Sequence, residues 1–141
     1  MAVIKTIIKN TNQETIVKVG GTAGSATIAL ATDCLATTQA LDGATQTVDI
    51  VTAQTNGLLN SGITVVRNSI PIMAFAPENS ATFNFEGNGL RDTVQNTNDI
   101  VVTISGAEAH LYLTLRKIGG YATKVETANF GAKDNEAVVG S

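Results

Sequence analysis

The clearest structural signal in this sequence lies between Gly62 and Ile118, where the residues are GITVVRNSIPIMAFAPENSATFNFEGNGLRDTVQNTNDIVVTISGAEAHLYLTLRKI. Short runs rich in Val, Ile, Thr and Phe alternate there with clusters of Asn, Gly, Ser and Pro. This pattern is typical of an antiparallel sandwich or barrel. It predicts strands at Gly62–Arg67, Ile70–Phe75, Ala81–Glu86, Asp99–Ser105 and Ala109–Ile118.

The last of these strands has the most regular alternation. Leu111, Leu113 and Leu115 share one face, because successive side chains of a strand point to opposite sides. We expect this face to be buried. The opposite face carries His110, Tyr112, Thr114 and Arg116.

Two turn features fix how the first two strands of this region meet. Asn68 and Ser69 are the only residues between two apolar β-runs, which is the length of a tight hairpin loop. Pro71 has no backbone N–H, so the strand that contains it should lie at an edge of a sheet or leave the ladder there.

The first half of the chain is rich in small residues and predicts four further strands, at Ala2–Lys9, Glu14–Val19, Ser25–Ala31 and Thr47–Thr52. Thr55–Gly62 is interpreted as a loop. Between Asp33 and Leu41 the pattern is ambiguous, because Asp33 could cap a short helix, and both alternatives stay open.

The overall prediction is an all-β chain, folded as an antiparallel β-sandwich, jelly-roll-like, or as a partly open barrel. It would have at most one short helix, a single β domain over residues 1–127 and an extended C-terminal arm over residues 128–141. The arm has neither strand nor helix periodicity, yet Phe130, Val138 and Val139 are apolar. We expect these side chains to be covered by a neighbouring subunit.

Composition excludes some classes of protein. The net charge is −3 over 141 residues, and the scattered Lys and Arg residues argue against a duplex-binding protein. Charged residues are 15% of the chain, well below the usual quarter or so, so the surface is polar but largely uncharged. No apolar run approaches the ~18 residues of a membrane span, and the N-terminus does not resemble an export signal. We therefore expect synthesis in a cytoplasm and no membrane or nucleic-acid partner.

Candidate catalytic residues are few. A serine triad would need His110, the only histidine, and no Gly-x-Ser-x-Gly turn presents a nucleophile. Glu86 and Glu108 are the best candidates for a glycosidase pair. The more conservative interpretation of His110 is a strand position that faces solvent or an interface. Sugar sites usually also contain exposed Trp and Tyr, and the chain has no Trp and only 4% aromatic residues.

Binding motifs are equally weak. Asp92, Asp99 and Glu86 could hold calcium with loop carbonyls, but no calcium-loop pattern supports this. Gly20–Gly24 resembles a phosphate loop without the required Lys and Ser/Thr, and Cys34 is interpreted as a small buried hydrophobe. The sequence thus predicts no cofactor, no metal and no enzymatic activity.

Several strand and turn strings resemble small virion proteins of tailed bacteriophages, notably those that infect marine bacteria. The strings are Val3–Asn10, Ile16–Gly21, Thr47–Ile50, Ile63–Ser69, Asn98–Gly106, Leu111–Lys117, Gly119–Tyr121 and Glu126–Thr127. The resemblance implies a structural particle protein without catalytic residues, made in the host cytoplasm and incorporated into the virion.

The leading hypothesis is a capsid decoration or cement protein. It would form a homo-oligomer, a trimer or another small ring, and would bind the major capsid protein or other virion proteins. Predicted intersubunit contacts are Phe130, Val138 and Val139 in the arm, with Ile4 and Ile7 in the N-terminal strand. Two alternatives remain: a neck or tail subunit (tube, connector or fibre attachment), and a module that binds surface glycans through the loops Gly87–Asp92 and Gln95–Asp99.

Overall fold

The computed structural model describes residues 3–78, 80–85 and 94–123. These residues form eleven β-strands and, within the same ranges, no helix. In chain order the strands are β1 (Ile4–Asn10), β2 (Glu14–Gly21), β3 (Gly24–Ile28), β4 (Gln39–Leu41), β5 (Thr47–Gly57), β6 (Ser61–Arg67), β7 (Ile70–Phe75), β8 (Ala81–Asn84), β9 (Ile100–Gly106), β10 (Ala109–Gly119) and β11 (Tyr121–Thr123). The predicted all-β class is confirmed.

The strands form two main antiparallel sheets and one short pair. The five-stranded sheet has the order β1–β2–β10–β5–β8, and the four-stranded sheet has the order β3–β9–β6–β7. β4 pairs separately with β11. The sheets do not close into a barrel, so the architecture is sandwich-like.

The core is filled by alternate side chains of the central strands. Leu111, Leu113 and Leu115 on β10 are fully buried, as their spacing predicts, and burial of each contributes about 1.5–3 kcal/mol. The same cluster contains the inward residues of β2, β6 and β9: Val17, Val19, Ile63, Val65, Ile100, Val102 and Ile104. The two main sheets therefore share one core.

β6 and β7 are joined by the tight turn predicted at Asn68 and Ser69. Their φ angles are 54° and 59°, and two successive positive φ values identify a type I′ turn. Pro71 lies on β7, which is an edge strand, and the β6–β7 register shifts beside it. The edge position predicted from Pro71 is confirmed.

The segment from Asp33 to Leu41 is not helical. Asp33 Oδ2 accepts a hydrogen bond from the backbone N–H of Ala29 at 2.8 Å, whereas a helix cap would bond to residues ahead of it. Residues Gln39–Leu41 instead pair with Tyr121–Thr123. A partner about 80 residues away along the chain thus determines the conformation of this segment.

The predicted loop Thr55–Gly62 is mostly strand. β5 continues to Gly57 and β6 begins at Ser61, so the connection is only residues 58–60. β5 extends this far because β10 pairs with it up to Ala109 and Gly57. Pairing with β10 provides hydrogen-bond partners for the backbone groups of this segment, although the local sequence alone predicts a loop.

The break predicted at Gly119 and Gly120 separates β10 from β11. Gly120 has a φ of 85°, and a Cβ there would lie 2.4 Å from the backbone oxygen of Thr45. Only glycine fits this position. Residues 124–127, predicted to continue the strand, and the arm 128–141 lie outside the described residues.

Candidate functional site

β1 is an edge strand of the five-stranded sheet with poorly covered side chains. Ile4 is 60% exposed and Ile7 is 37% exposed. Ile4 lies opposite Gly20 and Ile7 opposite Val17, so these two isoleucines point to opposite faces of the sheet. Both predicted intersubunit residues therefore lie at the surface, and their contact with another subunit stays a prediction.

The other predicted intersubunit contacts belong to the C-terminal arm. Phe130, Val138 and Val139 lie outside the described residues.

Lys117 lies at the centre of a polar cluster between β10, the β1–β2 turn and β4. Its ammonium donates to Asn10 Oδ1 at 2.8 Å, to the backbone oxygen of Thr11 at 2.7 Å and to Gln39 Oε1 at 2.6 Å. Nζ also lies 5.1 Å from the centre of the Tyr121 ring, within cation–π range. All three ammonium protons are used, and burial lowers the pKa of Lys117 from its ordinary value. Lys117 therefore connects three segments of the fold.

Cys34 is fully buried beside this cluster. Burial raises the pKa of its thiol to about 11, because the thiolate would lose its hydration. Reactive cysteines are those whose pKa is lowered, so this thiol stays protonated near neutral pH. The burial predicted for Cys34 is confirmed.

Tyr121 completes the cluster from β11. Its hydroxyl donates to the backbone oxygen of Leu30 at 2.5 Å, and burial raises its pKa above the ordinary value. The tyrosine therefore remains neutral and holds the segment before Cys34 against β11.

Arg67 is only 1% exposed although it carries a full charge. Its three guanidinium nitrogens donate to backbone oxygens: Nε to Asn98 at 2.9 Å, one terminal nitrogen to Val48 at 2.8 Å and the other to Asn96 at 2.9 Å. A buried charge is tolerated when its donors are satisfied in this way. Arg67 thus holds the loop before β9 against β5 and β6.

The loop Gln95–Asp99, predicted as half of a glycan-binding surface, uses its side chains within the protein. The bonds are Asn96 to Asp49 at 2.7 Å, Asp99 to the Leu30 N–H at 3.0 Å and Gln95 to Asn68 at 3.2 Å. Groups engaged in this way are less free to bind sugar hydroxyls. The other predicted half, Gly87–Asp92, lies outside the described residues.

An open depression of about 320 Å³ lies where β5 ends and β10 begins. It is lined by Asn56, Gly57, Leu58, Ser80, Glu108 and His110. Polar groups meet one exposed leucine here, which is a common composition for a small-ligand site, but its open shape encloses little of any ligand.

His110 packs closely on β2 at this depression. Its Nε2 lies 2.8 Å from Glu108 Oε2, while Nδ1 is buried without a hydrogen-bond partner. A Cβ on Gly20 would lie 2.1 Å from Nδ1, so the glycine makes room for the ring. A serine triad requires a hydroxyl bonded to the imidazole, and in the described part of the chain the ring bonds a carboxylate instead.

The remaining sequence candidates are the metal ligands, the carboxylate pair and the Gly20–Gly24 segment. Within the described ranges, no group of three His, Cys, Asp or Glu side chains could hold a metal ion. Glu86 and Asp92 lie outside those ranges, so the calcium set with Asp99 and the Glu86–Glu108 pair are not tested. β2 ends at Gly21 and β3 begins at Gly24, so residues 22–23 connect the two strands.

Sequence reasoning missed Arg67 and Lys117 as organising residues. Each continues an inward-facing series: Arg67 follows Ile63 and Val65 on β6, and Lys117 follows Leu115 on β10. A charged residue at the end of a buried series was the available signal, because such a charge must find partners inside the protein.

No helix in the described ranges is long and apolar enough to cross a membrane. Comparison with protein-family models, with curated proteins and with solved structures found nothing that matches this chain. Function must therefore be inferred from the residues and their geometry.

Proposed function

We propose that this chain is a non-enzymatic structural protein of a tailed bacteriophage particle, which decorates or cements the capsid. It acts as a homo-oligomer and contacts the major capsid protein or another virion protein. The observation that carries the proposal is the uncovered apolar strand β1.

The apolar surface of β1 needs a partner. Ile4, Ile7 and Ile8 are 60%, 37% and 52% exposed on one seven-residue strand. Val3, just before them, packs against the core, so the strand is attached to the domain while its isoleucines remain uncovered. These side chains lie on both faces of one edge strand. Exposed apolar surface of this kind favours contact with another protein, and a neighbouring particle subunit would cover it.

The buried polar groups support a structural role. Lys117 and Arg67 donate to carbonyl and amide oxygens of the fold, and the Cys34 thiol is buried and protonated. The two cations connect segments of the sandwich, and the thiol is part of its core. The low proportion of charged residues also fits a surface covered by neighbours, since the centres of interfaces are depleted in charge.

The location of the chain on an intact particle tests the proposal. Antibody labelling and electron density of purified virions should place it over the capsid surface, with an antibody against the major capsid protein as the positional control. Density confined to the neck or tail would support the connector or tube alternative. Absence of the chain from purified particles would contradict both structural roles.

A further inference from the structure

Lys117 and Asn10 bring an amine and a carboxamide together at one end of the sandwich. Lys117 Nζ lies 2.8 Å from Asn10 Oδ1, although the two residues are 107 positions apart in the chain. Asn10 ends β1 and Lys117 lies near the end of β10, and only β2 separates these strands in the sheet. Two distant strands therefore meet through side chains whose functional groups can react with each other.

The Asn10 carboxamide is held in one orientation by three hydrogen bonds. Its Oδ1 accepts from the Thr15 hydroxyl at 3.0 Å as well as from Lys117, and its Nδ2 donates to the backbone oxygen of Asp33 at 3.2 Å. Thr15 is fully buried. Its hydroxyl is thus positioned to stabilise the negative charge that develops on Oδ1 when a nucleophile attacks the carbonyl carbon.

The environment of Lys117 favours the neutral amine. Burial lowers the pKa of Lys117, because the ammonium loses part of its hydration. The three oxygens that accept from it belong to the amides of Asn10 and Gln39 and to the backbone of Thr11, and none of them is a carboxylate. A desolvated lysine of this kind is activated as a nucleophile. Loss of one proton leaves two donors on the nitrogen and a lone pair that can face the Asn10 carbonyl carbon.

We propose that Lys117 and Asn10 form an intramolecular isopeptide bond, which links β1 covalently to β10. The Nζ lone pair attacks Cγ of Asn10, and the carbonyl electron pair moves onto Oδ1, where the Thr15 hydroxyl donates to it. The tetrahedral intermediate then collapses: the Cγ–Nδ2 bond breaks, Nδ2 takes the proton released by Nζ, and ammonia leaves. One amide replaces another, so the step is balanced without an oxidant or a further reactant.

The distances are compatible with this reaction. A carbonyl bond is about 1.2 Å long, so a nitrogen 2.8 Å from Oδ1 lies at most about 4 Å from Cγ. A near-attack arrangement needs about 3–3.5 Å, and rotation of the lysine side chain can close the difference. Gln39 offers a second carboxamide, but the other donor to its Oε1 is the Ala36 N–H at a longer 3.3 Å. Asn10 is therefore the better polarised of the two amides.

The proposed bond would fix the edge strand β1 to the sheet. A covalent link between residues far apart in the chain restricts the unfolded state, and it does so more strongly when the enclosed loop is longer, as for disulfides. The link would also keep β1 from separating from β2 when another protein pulls on it. The inference goes beyond the proposed function and does not depend on it.

Intact-mass spectrometry of the purified full-length chain tests the proposal. After incubation at about pH 9, where more of the amine is neutral, the wild type should be about 17 Da lighter than its sequence, because ammonia is lost. Lys117→Arg and Asn10→Ala each remove one reacting group and should keep the full sequence mass. Lys9→Arg, at an exposed lysine that bonds Glu14 at 2.9 Å, is the matched control and should still lose ammonia.

Peptide mapping makes the assignment specific. Cyclisation at the Asn56–Gly57 pair would release ammonia as well, so a proteolytic digest must contain a branched peptide that joins Asn10 to Lys117, identified by tandem mass spectrometry. Thr15→Val removes the hydroxyl at nearly constant volume. In protein that is folded by circular dichroism, this change should slow formation of the branched peptide at least about tenfold.

A wild type that keeps its full sequence mass after prolonged incubation would overturn the inference. A branched peptide that joins Lys117 to Gln39 instead would also overturn it. If Lys117→Arg does not fold by circular dichroism, Asn10→Ala provides the same comparison. Because these measurements use isolated protein, their outcome is independent of where the chain is found on particles.

Discussion

At the scale of single residues, Arg67 is the position where one substitution should cost most. Arg67→Ala removes three donors and leaves three backbone oxygens inside the protein without them. A buried acceptor that loses its donor typically costs about 1–3 kcal/mol, so the loss of three donors should cost about 3–5 kcal/mol in total. Urea unfolding monitored by circular dichroism should show a decrease of this size in the free energy of unfolding.

Two variants calibrate that result. Arg67→Lys keeps the charge but not the planar fork, so it should also destabilise the protein, by less than Arg67→Ala. Lys18→Ala, which removes an outward-facing cation 5.8 Å from the Tyr112 ring, should cost about 1 kcal/mol or less. Equal effects of Arg67→Ala and Lys18→Ala would contradict the role assigned to Arg67.

Cys34 should make the stability depend on alkaline pH. The pKa of its thiol is raised from 9.0 to about 11 in the folded protein. Between these values the unfolded chain has lost the proton that the folded chain retains, so stability falls as pH rises. The thiol contribution is intact below pH 9.0 and is lost through about pH 11, which amounts to about 2–3 kcal/mol at most.

The comparison with Cys34→Ala isolates this effect. Alanine has no thiol to titrate, so the difference in free energy of unfolding between wild type and variant should shrink as pH rises above 9.0. Urea unfolding at several pH values measures it. A difference that is constant with pH would show that the thiol has the same pKa in both states.

At the scale of elements, the β6–β7 hairpin has a turn that can be improved. Ser69 adopts a φ of 59°, which is unfavourable for a residue with a Cβ, and Asn-Gly is the preferred pair for a type I′ turn. Ser69→Gly should raise the free energy of unfolding by about 0.5–1 kcal/mol. Thermal and urea unfolding would both detect the change.

Asn68 supplies the matched control for the turn. Asn tolerates a positive φ, and its side chain donates to Gln95 Oε1 at 3.2 Å. Asn68→Gly should therefore give no gain in stability. A larger gain at Asn68 than at Ser69 would contradict the assignment of the strained position.

Lys5 protects the edge strand β1 from pairing with other chains. Its ammonium bonds to the backbone oxygen of Thr27 and to the carboxylate of Asp33, which holds the charge on the inward side of the strand. Lys5→Ile would leave Thr6 as the only polar residue between positions 4 and 8. Exposed apolar edge strands tend to aggregate. Static light scattering should show concentration-dependent aggregation of this variant.

The same change on an inner strand separates edge pairing from added hydrophobicity. Lys18→Ile places an isoleucine on β2, whose two edges are already paired with β1 and β10. This variant should stay soluble under conditions in which Lys5→Ile aggregates. Equal aggregation of both variants would indicate that added surface hydrophobicity alone causes aggregation, and would contradict the edge-protecting role of Lys5.

At the scale of the whole molecule, the arm and the sandwich should be separable. Removal of residues 128–141 takes Phe130, Val138 and Val139, the predicted intersubunit contacts, but leaves every described strand in place. The truncated chain should keep its unfolding transition and lose affinity for copies of itself or for particles. Circular dichroism and a particle co-sedimentation assay measure the two properties.

Substitution within the full-length chain provides the control for truncation. Phe130→Ser should weaken assembly in the same direction and by a smaller amount, while the unfolding midpoint stays constant. Unchanged assembly of the truncated chain would remove the arm from the proposed contacts and leave β1 as the candidate surface.

The sequence by itself determined the strand alternation, the tight turn at Asn68 and Ser69 and the edge position of Pro71. These features follow from side-chain periodicity and backbone constraints, which act between residues close together in the chain. The same local rules assigned the inward face of β10 correctly. The burial of Cys34 was predicted separately, from residue type alone.

Only the tertiary structure decided the conformation of residues 33–41, the extension of β5 to Gly57 and the roles of Arg67 and Lys117. Each depends on a partner far away in sequence: β4 on β11, β5 on β10, and the two cations on carbonyl and amide oxygens of other segments. A backbone or a charge enters the interior only when such partners satisfy its hydrogen bonds. Only the folded sandwich brings those partners together, so patterns between neighbouring residues in the sequence could not predict these contacts.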